Sequence, residues 1–302
     1  MLTLAYILFF LSSISSSLGS IFRKKFQCAN GVSFKSNLFF CIINSIVSVI
    51  ICAFVMLISG NFHKIDGTLV FFTALQATCL FIATFSGIIG SKYGSVAVFL
   101  MFSTLGTLCI SSLYGILFRG ELQFFSVYDV IAYVLLFTII AISFIFSDNS
   151  VSNKKIFYLC AFLSFFANGF GLVSISLGKD FFPTINDFNY LGLSFFFLGI
   201  IAGTIFIIIS LVNKNKVELQ PFKPKLANSY SAMIASTFIL LANAINVYLV
   251  GKIPVSIQSS LMFTITTISA CIFDYLIYKV KINKVSGAQL ILAIACSILF
   301  SF

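Results

Sequence analysis

Charge is scarce in this chain: charged residues are 9% of it, against about a quarter in a soluble domain. That shortage excludes a conventional water-soluble globule, because too few groups remain to face solvent. Histidine occurs once, as His63 in a polar stretch, and carboxylates number eight. The clustered His and carboxylate groups or Ser/His pairs that an intramembrane enzyme needs cannot be assembled from that supply, so no enzymatic activity is expected. There is no Cys-x-x-Cys pair and no Cys/His cluster. Of the eight cysteines, Cys41, Cys52, Cys79, Cys109, Cys160, Cys271 and Cys296 lie inside apolar runs and only Cys28 lies outside. They read as small apolar side chains, with no disulfide, metal or cofactor implied. No basic stretch precedes the first apolar run, which disfavours a cleaved signal peptide and makes that run a retained span.

What the chain does have is hydrophobicity, at 60% of its 302 residues and a mean hydropathy of +1.12. Between Ser36 and Gly60 every polar side chain is small or uncharged. About twenty such residues are enough to cross a hydrocarbon core of roughly 30 Å. Ten apolar segments can be placed, at 3–22, 37–59, 68–90, 95–118, 126–147, 156–178, 188–212, 228–250, 256–278 and 285–302. The expected fold is an all-α membrane protein of about ten transmembrane helices. The longest connection begins at Asn213 and combines lysines with Pro221 and Pro224. It leaves no room for a soluble domain.

On this reading all eighteen Lys and Arg fall between the apolar runs, as expected when a charge at the bilayer centre costs about 2.5–3.5 kcal/mol. Fourteen of them lie in the odd-numbered loops and four in the even-numbered ones. The positive-inside bias puts the odd loops, with Arg23, Lys24, Lys25, Lys279, Lys281 and Lys284, in the cytoplasm and both termini outside, for a multi-pass protein of the inner (cytoplasmic) membrane. The net charge of +10 is then explained by basic loops against an anionic leaflet, and no nucleic-acid partner is needed.

The chain also carries traces of an internal repeat. Shifted by 161 residues, Leu100-Met101-Phe102 falls on Leu261-Met262-Phe263, and Ala74, Ala83, Gly90, Ser95, Tyr114 and Ile116 fall on Ala235, Ala244, Gly251, Ser256, Tyr275 and Ile277. The first and sixth segments share Phe10-Leu11-Ser12 with Phe162-Leu163-Ser164, and Gly19 with Gly171. The third and fourth spans thus pair with the eighth and ninth, giving two five-span halves, 1–150 and 151–302. An odd number of spans per half makes the second copy enter the membrane inverted, a recurrent transporter architecture.

Ten spans in two inverted halves with short loops resemble the EamA-like branch of the drug/metabolite transporter superfamily. The stretch Tyr114-Gly115-Ile116-Leu117-Phe118-Arg119-Gly120-Glu121-Leu122 resembles the Gly-Glu pair that commonly closes the fourth helix of a half in that family. The second half has Lys279-Val280-Lys281-Ile282 in the matching place, with no acid, and the family's frequent fourth-helix proline is missing from the fourth span. The resemblance implies a transporter fold and leaves the substrate open.

Candidate binding residues are the uncharged polar side chains at mid-span depth. Asn168 sits in Ala167-Asn168-Gly169-Phe170-Gly171, and its counterpart stretch in the first span is Ser15-Ser16-Ser17-Leu18-Gly19, which makes Ser17 a candidate. Asn243 and Asn246, three apart, share one helix face, and Gln76 lies near the centre of the third span. The ninth span is rich in hydroxyls and amides, Gln258 and Thr264 among them. Tyr114 and Tyr275 match across the repeat. For each of these two readings stay open: contact with a ligand, or structural bonds between helices and, for the tyrosines, a place in the interfacial belt. Asp274, about a turn from the basic end of its span, either binds a proton or cation, which would couple transport to protons, or pairs with Lys279 or Lys281.

Spans one and six hold no carboxylate, and on this reading no Lys or Arg is available inside the membrane. An exporter of lipophilic cations would want the first, and a carrier of phosphorylated sugars or nucleotides the second. The expected function is therefore passage, by export or facilitation, of a small neutral or zwitterionic metabolite by alternating access. The alternatives are a flippase for a lipid-linked or amphipathic substrate and an assembly subunit without transport.

Overall fold

A computed structural model describes residues 2–31, 33–60, 64–94, 96–121, 126–145, 153–212, 226–250, 252–253, 255–279 and 284–299. Among them the chain forms ten helices: α1 (Leu2–Asn30), α2 (Phe34–Ser59), α3 (Gly67–Tyr93), α4 (Val96–Phe118), α5 (Val127–Ile145), α6 (Lys154–Phe181), α7 (Asp187–Val212), α8 (Leu226–Leu249), α9 (Val255–Tyr278) and α10 (Lys284–Leu299). Local chemistry sets several ends. The side chains of Ser33, Asp66 and Asn153 accept the first free N–H groups of α2, α3 and α6, the usual N-cap arrangement. Gly60 stops α2 in the left-handed region at φ 65°, with its N–H donating to the Met56 carbonyl.

Six of these helices, over Phe34–Ser59, Gly67–Gly90, Val98–Phe118, Lys154–Phe181, Asp187–Val212 and Ser229–Leu249, are long and apolar enough to cross a membrane. Their faces are inverted relative to a soluble protein. On α2, Asn37, Cys41, Asn44 and Ser48 are buried while Ile46, Ile50, Phe54 and Leu57 point outward, the last two 63% and 69% exposed. On α6, Cys160, Ser164, Ala167 and Gly171 face inward and Phe162, Phe166 and Phe170 outward. Such an apolar shell is tolerated where lipid replaces water. The chain is a multi-pass membrane protein.

Small residues let the helices approach closely. A Cβ on Gly106 of α4 would collide with the backbone carbonyl of Phe165 on α6, and one on Gly169 would sit 2.6 Å from the Gly106 carbonyl. Gly19 of α1 meets Ile239 and the Ala235 carbonyl of α8, and Gly199 of α7 meets the Ser45 side chain of α2. Close backbone approach through glycine is how helices gain dispersion contacts when lipid removes the hydrophobic drive. α1 packs on α8 and α9, α3 on α6 and α7, α4 on α6 and α9, α2 on α7 and α8, and α5 on α10. α4 and α6 run side by side in one direction: Phe99 meets Phe157 near their starts, and Arg119 meets Asp180 near their ends.

One boundary differs from the sequence expectation in a way that matters. The first apolar run ends near residue 22, but α1 continues for two more turns to Asn30, where Gly31 at φ 72° turns the chain. Arg23, Lys24 and Lys25 are therefore helical residues and not loop residues. Lys25 is exposed, whereas Arg23 is only 7% exposed. The expectation that every cation lies between apolar runs fails at Arg23.

Candidate functional site

A cavity of about 160 Å³ lies at the meeting of α1, α3, α4, α6, α8 and α9. Four of the amides singled out from the sequence line it together: Gln76 from α3, Asn168 from α6, and Asn243 and Asn246 from α8. Residues from 1–150 and from 151–302 thus share one wall.

Each amide is partly engaged. Asn168 Nδ2 donates to Ser103 Oγ at 2.7 Å, to the Ser164 carbonyl at 2.8 Å and to Ser164 Oγ at 3.1 Å. Ser103 and Ser164 bond each other at 2.8 Å, which ties α4 to α6 beside the cavity. Ser174 donates to Gln76 Oε1 at 2.6 Å, joining α6 to α3. Asn243 Nδ2 donates back to the Ile239 carbonyl of its own helix at 2.8 Å. Asn246 Oδ1 accepts from Ser12 Oγ of α1 at 2.9 Å. Since an amide offers two donors and an acceptor with two lone pairs, one or a few structural bonds do not exhaust it. Of the two readings left open by the sequence, helix bonding is seen in these residues, and it leaves bonding capacity on each amide.

The other candidates are placed differently. Ser17 is buried between helices, donating to the Ser13 and Thr266 carbonyls, and its neighbours Ser16 and Ser20 line the cavity instead. Gln258 is fully buried, with Nε2 donating to the Asn246 carbonyl at 3.2 Å, so it supports a lining residue from behind. Thr266 of the hydroxyl-rich α9 lines the cavity. The side chains of Thr264 and Asp274 lie outside the described residues, as does His63. Tyr275 is 52% exposed and is not among the lining residues.

Tyr114 sits near the far end of α4, donating to Asp180 Oδ2 at 3.3 Å with Arg119 over its ring. Arg119 also pairs with Asp180 and donates to the Ser176 carbonyl at 3.3 Å, so this cluster latches α4 to α6 beyond the cavity. Asp180 is about half exposed, and exposed pairs contribute about 0.2–1 kcal/mol. Asp180→Asn should therefore lower stability by less than about 1 kcal/mol, as checked by thermal unfolding in detergent.

The residue that sequence reasoning missed is Arg23. It lines the cavity, its Nε has no hydrogen-bond partner, and its terminal nitrogen lies 3.5 Å from Ser20 Oγ. A Cβ on Gly87 of α3 would sit 2.9 Å from both terminal guanidinium nitrogens, so glycine is what admits the group. A signal for it was present. Ser12, Ser16, Ser20, Arg23 and Gln27 recur at spacings of three and four, one continuous polar stripe on a helix. The stripe is inward: Gln27 Nε2 donates to the Ile88 carbonyl of α3 at 2.6 Å, and Ser12 reaches Asn246. No protein-family model matches the chain and no curated protein matches it, so the chemistry of this cavity is read from its own residues.

Proposed function

We propose that the chain is a carrier that moves a small polar metabolite across the cytoplasmic membrane by alternating access, built from two inverted five-helix halves of the drug/metabolite transporter kind. The observation that carries the proposal is the polar cavity between the halves, walled by Gln76, Asn168, Asn243 and Asn246 inside an apolar shell. A carrier needs a site both sides can reach in turn, and four amides with bonding capacity left over around an open space suit one.

Helix pairing supports the inverted halves. Exchanging each helix with the one five places on converts α1–α8 packing into α6–α3, α1–α9 into α6–α4, and α2–α8 into α7–α3, all of which occur. It leaves α2–α7, α4–α9 and α5–α10 unchanged, and these also occur. The matched glycines behave alike: Gly19 faces α8, and Gly171 faces Gln76 and Cys79 of α3. The neutral or zwitterionic solute expected from the sequence rested partly on the absence of an embedded cation. Arg23 removes that premise, while the amides still suit a solute with hydroxyl, carbonyl or amide groups.

The test is ligand-induced thermal stabilisation of the purified chain by amino acids, short organic acids, sugars, nucleosides and lipophilic cations, with uptake into proteoliposomes for any hit. A soluble hit that loses about tenfold or more in affinity in Asn168→Ala and Asn243→Ala supports the carrier. Stabilisation by lipids alone, unchanged in both variants, would move the reading to the flippase.

A further inference from the structure

We infer that Arg23 receives a carboxylate of the transported solute, so that the cavity takes small monoanionic acids in preference to neutral solutes of the same shape. The inference rests on the carrier reading and names its substrate class.

Arg23 is 7% exposed, and its Nε is buried without a partner. It lies seven residues before the end of α1, and Gly87, against which it packs, lies six before the end of α3. The guanidinium is therefore set about 10 Å inside the bundle along the helix axes, two turns from those helix ends. Among the described residues no Asp or Glu lines the cavity. The ion pairs Arg119–Asp180 and Lys179–Asp187 both lie near the opposite end of α6. A charge withdrawn from water without a counter-charge is strongly unfavourable, and it persists where a ligand supplies the missing partner. A planar guanidinium with five N–H donors matches a carboxylate in two parallel bonds.

Size narrows the class. A cavity of about 150 Å³ holds benzene, so the 160 Å³ here admits a solute of roughly five to ten heavy atoms. A short-chain acid fits. Charge narrows it again. A monoanion balances Arg23, whereas a zwitterion would bring an ammonium to a lining that, among the described residues, offers it only amide, hydroxyl and backbone oxygens. The amides then serve the rest of the acid, such as a hydroxyl or keto group beside the carboxylate.

The experiment pairs acids of this size with their own primary amides, beginning with lactate and lactamide. Binding is measured by titration on the full-length chain in nanodiscs at neutral pH, with inorganic phosphate alongside. The expected result is that the acids bind at least about tenfold more tightly than the amides. Arg23→Gln should erase that preference and Arg23→Lys should keep part of it. Gly87→Ala retains the charge but displaces the guanidinium, so it should weaken the acids selectively, and it stands in should Arg23→Gln fold poorly.

Equal binding of acid and amide by the parent chain, or an acid preference that survives both Arg23→Gln and Gly87→Ala, overturns the assignment. Phosphate binding more tightly than every acid overturns the carboxylate in favour of a phosphate ester. Neutral solutes that bind and respond to Asn168→Ala while acids do not would overturn the charge assignment and leave the carrier standing. If no soluble probe of any class binds, the carrier reading fails, and this inference fails with it.

Discussion

Replacing Gly106 with alanine is expected to lower stability by about 2–3 kcal/mol, far more than the usual effect of adding one methyl group to a helix. In an exposed helix interior alanine is better than glycine by roughly 0.5–1 kcal/mol, so the sign here is set by packing. The added Cβ would overlap the Phe165 carbonyl, a backbone atom that cannot rotate away. Relief requires α4 and α6 to separate. The Ser103, Ser164 and Asn168 bonds bridge those helices one turn away, at 2.7–2.8 Å for the two across the gap, so the site would loosen as the fold does. Gly203→Ala is the control, because its Cβ would meet nothing within 4 Å. It should leave the unfolding midpoint unchanged or slightly raised. A Gly106→Ala chain as stable as the control would mean that the α4–α6 crossing is wider than described.

Much of this arrangement is legible in the sequence because lipid is a demanding solvent. A segment that must satisfy its own backbone and face hydrocarbon has few alternatives, so the apolar run at 68–90 maps onto α3 at Gly67–Tyr93, and the run at 188–212 onto α7 at Asp187–Val212. The end of α1 was not legible from hydropathy, since hydropathy falls at Arg23 while helix propensity does not. Arg, Lys, Gln and Ala are good helix formers, and the stop comes only at Gly31. A charge that the insertion cost assigns to a loop is retained in the helix where a cavity takes it.

The choice among neighbouring polar residues was also beyond a linear reading. Consecutive helix positions differ by about 100° in direction, so Ser16 reaches the cavity while Ser17 turns to the Thr266 carbonyl of α9. Gln258, as polar as Gln76, falls behind the wall because the partner it meets is the Asn246 backbone. Which face of a helix is inward depends on its neighbours, and that information is spread over residues more than 200 positions apart.

Gly171→Leu is expected to abolish solute binding, by about a hundredfold or more, while the protein stays as stable as the parent. The opposite directions follow from one geometry. A Cβ at Gly171 would rest 3.5 Å from Cys79 Cβ and 3.5 Å from Gln76 Oε1, ordinary contact distances that force nothing to move. Gly171 lines the cavity, so the remainder of a leucine extends into it, and three further carbons take up much of what a solute of roughly five to ten heavy atoms would occupy. Filling a void in a packed interior stabilises or is neutral, as cavity-creating substitutions are costly in reverse. Paired unfolding and binding measurements therefore separate the two roles of this site. A structural subunit would gain from the filling and lose no activity. A carrier would lose transport with its fold intact, and the matched change at Gly19, where a Cβ would meet Ile239 at 2.8 Å and the Ala235 carbonyl at 3.3 Å, should cost stability instead. If Gly171→Leu bound and carried solute like the parent, the cavity would not be the transport site.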